Sequence, residues 1–363
     1  MMSISSAKRS QTVRSGVTLV ELLVVVTIAV LLVASAVPLM KPALKDGQLR
    51  EAARQINAHV AVAKSRAMQR GRGAGVMIQR SEPGSNAAFE LFIAETPPPY
   101  AGDVIGAISS LRDYWPKDSM GNPNPDGNFE SAVFTDLNSA TLPLLVQVGD
   151  LIQFNYQGPW YEITSVGTSV ETVAGSPTTV PLVEFQPKSA SANTWPKAKV
   201  TVPYKIMRHP RKASGSALQL AGGVVIDLEY SGIGSTGQQF NAGLTNITTT
   251  TPPVLNDDPI LIMFDGNGTL SRIYGSAVLT STSPVTYAVP GAGTAPTGTV
   301  HLLLGRFEQT GTAAETKNIQ DPKNVWISIG DRTGAVTSAP NLVATSIGDS
   351  RELARSGQSV GGN

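Results

Sequence analysis

Cysteine is absent from the 363-residue sequence, and charged residues make up only 15% of it. Without cysteine the chain has no disulfide bonds, no thiol catalysis and no cysteine metal sites. Only three histidines occur, at His59, His209 and His301, and none has metal-ligand spacing to another. The net charge of +1 offers nucleic acid no global electrostatic attraction. We therefore expect no metal, no cofactor and no nucleic-acid partner.

Enzyme and ligand motifs are weak where they occur. Residues 232–237 match Gly-x-Gly-x-x-Gly, but no amphipathic helix follows to receive a pyrophosphate. The stretch 265–269 begins like an EF-hand loop, yet no bidentate acid ends it, and Asn-Gly between apolar runs favours a hairpin turn. Asp118, Asp126 and Glu130 could offer oxygens to calcium, although acidic loops are mostly solvated. We expect turns at both motifs and no enzyme.

The first 40 residues have an asymmetric charge pattern. Lys8, Arg9 and Arg14 precede a long apolar run, in which Glu21 is the only ionisable residue. About 20 apolar residues suffice for a helix to cross a bilayer, and a short basic flank stays in the cytoplasm. The pattern predicts a transmembrane helix over residues 17–38, and hence a single-pass inner-membrane protein with a periplasmic C-terminal domain. A lone carboxylate in such a helix indicates a functional site.

The residues around this carboxylate resemble a known family. Gly16, one apolar residue and the motif Thr-Leu-Val-Glu ending at Glu21 resemble the leader of type IV prepilins and type II secretion pseudopilins. The resemblance implies that prepilin peptidase removes residues 1–16, cutting after Gly16, and methylates the new amino terminus at Val17, where the family usually has Phe. It also implies that Glu21 acts in subunit assembly by pairing with a neighbouring subunit's amino terminus. Pro38 falls where many pilins carry a helix-kinking proline.

A second helical pattern follows the first. Apolar residues recur at helical spacing from Leu49 to Ala67, opposite arginine and lysine. This predicts an amphipathic helix over residues 39–71 that continues the first helix. Next, Ala74–Gln79 and Ala88–Ile93 predict a hairpin. The order of helix and hairpin resembles that of H-type minor pseudopilins and FimT-like minor pilins.

The remaining sequence is rich in turn residues, with 35 glycines and 25 prolines. It predicts an exported β-rich domain over residues 72–345 with an inserted β subdomain at about 96–200, of which 96–130 has little regular structure, and a mobile tail at 346–363. The predicted fold class is α+β and pilin-like, with one long N-terminal helix, membrane-spanning in its first half, packed on an antiparallel β-rich domain. The strands expected are Leu144–Val148, Leu151–Tyr156, Tyr161–Val166, Val180–Phe185, Val202–Arg208, Ser216–Leu220, Gly223–Tyr230, Pro259–Phe264, Leu270–Gly275, Val300–Phe307 and Val325–Ile329.

Four basic residues, Lys205, Arg208, Arg211 and Lys212, lie close together in sequence. Because some FimT-like minor pilins are associated with DNA uptake, a DNA contact is one interpretation of this cluster. The near-neutral chain and the lack of interleaved aromatic residues favour a solvated charged turn.

Together these patterns predict a minor pseudopilin or pilin-like subunit, processed by prepilin peptidase and assembled into a type II secretion pseudopilus or a type IV pilus. Its expected partners are other pilin or pseudopilin subunits, the peptidase, an inner-membrane assembly platform and membrane lipid. The alternative is ordinary signal-peptidase cleavage after Ala36, which would release a soluble periplasmic binding protein. The mature amino terminus, at Val17 or at Val37, distinguishes the two.

Overall fold

A computed structural model gives the structure of the chain. It describes residues 18–113, 129–137, 139–173, 175–187, 195–196, 199–215, 217–235, 238–240, 244–246, 254–255, 259–275, 293–311, 314–344 and 346–360. Within these ranges only the backbone is described at residues 35–44, 113, 129, 173, 244–246, 254–255 and 357–360. The chain divides into two compact units, residues 1–48 and 49–363.

In chain order, the helices and strands are α1 Leu19–Arg70, β1 Ala74–Gln79, β2 Ala87–Ala88, β3 Glu90–Glu95, β4 Ile108–Asp113, β5 Phe129–Val133, α2 Leu142–Leu145, β6 Leu151–Phe154, β7 Tyr161–Val173, β8 Ser176–Pro187, β9 Thr201–Met207, β10 Arg211–Lys212, β11 Leu218–Gln219, β12 Val224–Ile233, β13 Gln238–Gln239, β14 Leu244–Asn246, β15 Val254–Leu255, β16 Ile260–Phe264, β17 Leu270–Tyr274, β18 Val300–Arg306, β19 Val325–Ile329, β20 Val336–Pro340 and α3 Ile347–Val360. Two short 3-10 helices, Phe307–Gln309 and Asn318–Gln320, follow β18.

Helix α1 begins at a cap that the sequence encodes. The Thr18 hydroxyl accepts a hydrogen bond from the backbone N–H of Glu21 at 3.3 Å, and the Thr18 carbonyl accepts one from the N–H of Leu22 at 3.1 Å. Thr-x-x-Glu is a signature of a helix amino terminus. At the other end, Gly71 follows the helix with a φ of 59°, the left-handed conformation in which many helices end.

Residues 49–70 of α1 bury one face in the second unit. The buried positions are Leu49, Ala52, Ala53, Ile56, Val60, Ala63 and Ala67. Spacings of three and four residues place side chains on the same side of a helix. The apolar positions that recur at helical spacing are therefore those that the helix buries.

The predicted membrane span is wrong. Among the residues that the structure describes, no helix is both long enough and apolar enough to cross a membrane. The transmembrane helix at 17–38, the single-pass inner-membrane location and the pilin-like fold built on that span are corrected accordingly. Antiparallel β-sheet dominates the fold instead.

Two six-stranded antiparallel sheets form much of the second unit. Sheet A has the order β10-β3-β1-β16-β17, with β11 also paired to β3. Sheet B has the order β13-β12-β18-β19-β20, with β2 also paired to β12. In sheet A, Ala74 pairs with Glu95 and Gln79 pairs with Glu90, so the predicted pairing of these segments is confirmed, but the second strand is Glu90–Glu95, and Ala88 belongs to β2 of sheet B.

The two sheets and α1 share one apolar core. Ile56 of α1, Ile78 of β1, Ile226 of β12 and Leu302 of β18 belong to the same cluster of buried side chains. Burial of this kind of surface is the dominant favourable contribution to folding, at about 25 cal/mol per Å². The second unit is thus held by packing, as expected for a chain without disulfides.

Strands β4 to β9 close into a barrel with the order β4-β5-β8-β7-β6-β9. The barrel has its own core, separate from that of the sheets, and aromatic rings fill much of it. The rings of Phe134 and Tyr204 meet edge to face with their centroids 4.7 Å apart. The rings of Phe154 and Phe185 are tilted at 53° to each other with their centroids 5.0 Å apart. Offset and edge-on contacts of this kind favour close packing between aromatic side chains.

Two local predictions in the barrel region are wrong. The stretch 96–130, predicted to have little regular structure, contributes the barrel strand β4. The predicted strand Leu144–Val148 is replaced by the short helix α2, because Pro143 stands at its start and proline is pre-organised for the first helical turn.

Most of residues 346–363, predicted to be a mobile tail, belong to helix α3. The side chain of Arg351 is fully buried and donates hydrogen bonds to the carbonyl of Tyr230 at 2.6 and 3.2 Å and to that of Gly234 at 3.2 Å. These carbonyls adjoin an irregularity in β12, where its pairing with β18 shifts in register. Together with the buried Ser350 and Ala354, Arg351 docks α3 through contacts with residues remote in sequence, which do not appear as an apolar stripe.

Candidate functional site

The predicted processing site lies outside the described residues. Gly16 and Val17, the predicted positions of cleavage and methylation, precede Thr18, where the description begins. Glu21 is exposed in the first turn of α1, and its backbone N–H donates a hydrogen bond to the capping hydroxyl of Thr18. Its negative charge interacts favourably with the positive end of the helix dipole. Glu21 therefore has a local role in starting the helix besides the one predicted in assembly. Pro38 lies within the part of α1 described as backbone only.

Exposed apolar side chains cover the start of α1. Among the large ones, the exposed fraction runs from 48% at Val24 to 79% at Leu19. Consecutive residues occupy every side of the helix, and contiguous exposed apolar surface marks an interaction site. We call this the apolar helix surface, which comprises Leu19, Val20, Leu22, Leu23, Val24, Val25, Val26, Ile28, Val30, Leu31, Leu32 and Val33.

Two arginines of the basic cluster connect the barrel region to the strands that follow it. Arg211 of β10 donates hydrogen bonds to the carbonyls of Leu144 and Leu145, at 2.9 and 2.7 Å, where α2 ends. Arg208 donates from Nε and Nη2 to the carbonyl of Pro98, at 3.2 and 3.0 Å. Both guanidinium groups thereby satisfy carbonyls of segments distant in sequence.

The two lysines of the cluster lie over aromatic rings. Lys205 Nζ is 5.2 Å from the centroid of the Trp160 ring, and Lys212 Nζ is 3.3 Å from that of Phe92. Such cation–π contacts contribute about 0.5–1 kcal/mol at exposed sites. The predicted solvated turn misses these contacts, because the partners are remote in sequence.

The three histidines lie in separate environments. His301 is buried, its Nδ1 is 2.9 Å from Ser328 Oγ, and burial lowers its pKa to about 4. Burial also lowers the pKa of His59, whose Nε2 has no hydrogen-bond partner among the described residues. His209 contacts the buried Asp150, with 2.9 Å between Nδ1 and Oδ1.

The two ligand-like motifs are parts of turns and strands. The Asp265 side chain accepts hydrogen bonds from the N–H groups of Asn267 and Thr269 at 2.9 and 3.0 Å, and this stretch joins β16 to β17, so the predicted hairpin turn is confirmed. Gly232 lies in β12, and a Cβ there would collide with the carbonyl of Gln238. This glycine allows β13 to approach β12, and it lies in a strand and not in a phosphate-binding loop.

Metal ligands do not gather in groups of three or more within the described ranges. Of the acidic residues considered for calcium, Asp118 and Asp126 lie outside those ranges, and Glu130 belongs to β5. A Gly-x-Ser-x-Gly match at residues 357–361 coincides with the end of α3, whereas a hydrolase nucleophile requires a turn from strand to helix.

A buried polar network connects sheet B to the segment after β18. No sequence pattern predicts this network. Asn318 Nδ2 donates to Asp227 Oδ2 at 2.8 Å, and Asn324 Nδ2 donates to Asn318 Oδ1 at 3.0 Å. Trp326 Nε1 donates to Asn341 Oδ1 at 2.9 Å. Buried polar groups are usually hydrogen-bonded in this way, so the folding requirement to satisfy them accounts for this network.

A cleft of about 200 Å³ lies between the barrel and sheet A, and we call it the junction cleft. Strand ends from both contribute its walls. Its polar lining consists of Thr96, Arg208, His209, Ser271, Arg272 and Tyr274. The sequence pattern places Arg208 in the basic cluster and assigns no role to His209.

Comparison with known proteins gives no relative from which function could be transferred. No protein-family model, curated protein or solved structure matches the chain.

Proposed function

We propose that the chain is a minor subunit of a type II secretion pseudopilus or type IV pilus, processed after Gly16 and assembled through the start of α1. The observation that supports this most is the apolar helix surface. Burying one valine or leucine side chain fully is worth about 1.5–3 kcal/mol, so leaving a whole helix segment of them in water is unfavourable. Related subunits could cover this surface with apolar helices of the same kind.

The distribution of the apolar residues favours several partners over one. A two-stranded coiled coil buries a single stripe with a period of 3.5 residues. The apolar helix surface contains an unbroken run from Leu22 to Val26, which reaches every side of the helix. Such a helix is buried on all sides in its functional state, which fits the interior of a bundle made by several subunits.

Glu21 would be the one charge inside this bundle. A buried carboxylate is costly unless an opposite charge and hydrogen bonds compensate it. Cleavage after Gly16 creates an α-amino group at Val17, and this group on a neighbouring subunit is the proposed partner. Before cleavage, the same nitrogen is an uncharged peptide N–H. Processing and assembly are coupled for this reason.

The mature amino terminus tests the proposal. Sequencing or intact-mass measurement of the full chain, expressed with a prepilin peptidase, is expected to give Val17 as the first residue. Gly16→Leu should abolish this cleavage, while Ser15→Ala, the matched control one position earlier, should leave it unchanged. A mature chain that begins at Val37 would instead support signal-peptidase cleavage and would overturn the proposal.

A further inference from the structure

The junction cleft has the chemistry of an anion site, and this inference is independent of filament assembly. We infer that it binds a small oxyanion of the size of inorganic phosphate. Arg208 and Arg272 bring guanidinium groups to the cleft, His209 brings an imidazole and Thr96 a hydroxyl, and the described lining contains no carboxylate, whereas the Ser271 hydroxyl donates to the carbonyl of Met263 at 3.2 Å. Arginine presents planar N–H donors that match the oxygens of phosphate and carboxylate groups.

Asp150 fixes the position of His209. The buried Asp150 accepts hydrogen bonds at Oδ1 from the backbone N–H of His209 at 2.7 Å and pairs with the His209 Nδ1 at 2.9 Å. Its Oδ2 accepts a further bond from the N–H of Gln147 at 2.9 Å. The ring also meets the ring of Tyr274 edge to face, with centroids 5.4 Å apart. With Nδ1–H donated to the carboxylate, neutral His209 keeps a lone pair on Nε2, which can accept a hydrogen bond from the hydroxyl of a protonated phosphate.

The two arginines are fixed on opposite walls. Arg208 follows the barrel strand β9, and the carbonyl of Pro98 orients its guanidinium through two hydrogen bonds. Arg272 lies in β17 of sheet A, and its Nη1 donates to the carbonyl of Gly293 at 3.2 Å. Each of these bonds orients a guanidinium group.

An oxyanion would also relieve an unfavourable local charge arrangement. Burial and the neighbouring Arg211 lower the pKa of Arg208 by more than Asp150 and Tyr100 raise it, so its positive charge is only partly compensated there. An anion between Arg208 and Arg272 supplies negative charge and bridges the barrel to sheet A. The cleft volume of about 200 Å³ restricts the ligand to a small one.

Calorimetric titration of the full chain with inorganic phosphate, at constant ionic strength and with chloride as the reference ion, tests this inference. We expect saturable binding of one phosphate per chain. Arg272→Gln and His209→Asn are each expected to weaken it about tenfold, which corresponds to about 1.4 kcal/mol. Arg355→Gln removes the same charge from α3, where the side chain is 65% exposed, and should leave the affinity unchanged.

Folding of each variant is checked by circular dichroism. Arg272 is exposed, so its replacement should preserve the fold even if the His209 variant does not. Phosphate binding no stronger than chloride binding, or equal affinities in wild type, Arg272→Gln and Arg355→Gln, would overturn the assignment.

Discussion

At the scale of single residues, buried polar groups set how sheet B responds to pH. Asp227 is 1% exposed and accepts hydrogen bonds from Asn318 Nδ2 at 2.8 Å and from the N–H of Glu229 at 3.0 Å. Burial outweighs these bonds and raises the pKa of Asp227 from 3.8 to about 6. The native state therefore binds the Asp227 proton more tightly than the unfolded state does.

Asp227→Asn is expected to reveal this linkage. Because the native pKa is raised, the stability contributed by protonated Asp227 is fully present below about pH 4 and is lost as pH rises to about 6. One pKa unit is worth 1.36 kcal/mol, so the change amounts to about 3 kcal/mol. The free energy of unfolding of the wild type, relative to that of the variant, should fall by this order between pH 4 and pH 7, as measured by urea denaturation.

Asp321→Asn is the control of opposite sign. Burial raises the pKa of Asp321, but hydrogen bonds from the Lys323 N–H and the Gln309 side chain outweigh it, so the net shift is downward. The stability that Asp321 contributes is therefore present above about pH 4 and is lost at lower pH. Parallel pH profiles for the two variants would contradict this account of both carboxylates.

At the scale of elements, Arg351 is one of the buried side chains that dock α3, together with Ser350 and Ala354. Arg351 donates to the carbonyls of Tyr230 and Gly234 from a fully buried position, and burial lowers its pKa to about 10. Arg351→Met keeps the length of the side chain and removes the donors. Unsatisfied buried carbonyls cost about 1–3 kcal/mol, so we expect a loss of stability of that order together with faster hydrogen exchange in α3.

Arg355→Met provides the comparison within the same helix. Arg355 is 65% exposed, and substitutions at exposed positions usually change stability by less than about 0.5 kcal/mol. Hydrogen exchange in α3 that is equally slow in both variants would show that Arg351 does not anchor the helix.

The elements that could be predicted from sequence are those with a local signal. Strand pairing of Ala74–Gln79 follows from β-branched and apolar residues between turns, and the turn at Asp265 follows from Asn-Gly. Closure of the barrel and docking of α3 could not be predicted, because they depend on contacts such as that between Arg351 and Tyr230, 121 residues apart. The junction cleft was missed for the same reason, since His209 and Arg272 meet only in the folded chain.

At the scale of the whole molecule, the cysteine-free sequence permits a direct test of assembly. Ile28→Cys places a single thiol on the apolar helix surface, at a position 52% exposed. In cells that contain the assembly system, oxidation is expected to link neighbouring copies, or a copy and a partner subunit carrying the equivalent cysteine. Adding Glu21→Ala should remove most of this product, because losing one member of a buried charge pair costs about 3–5 kcal/mol.

Two controls make this result specific. Val170→Cys, at a 70% exposed position in β7, should give no comparable product, which excludes random collision of exposed thiols. Since Glu21→Ala retains all the apolar residues, undiminished cross-linking in that background would mean that non-specific apolar association, and not a Glu21 pair, brings the helices together.

The barrel leaves and re-enters sheet A at adjoining points. The chain departs after Glu95 of β3 and returns at Arg211 of β10, and these two residues are partners in the sheet. If the chain were cut at Glu95 and Arg211 and these two residues were joined directly, the new connection could be short, and closing a short loop costs little entropy. The ends of the segment that contains the barrel are therefore neighbours in sheet A, the geometry in which a domain can be inserted without a change in strand order.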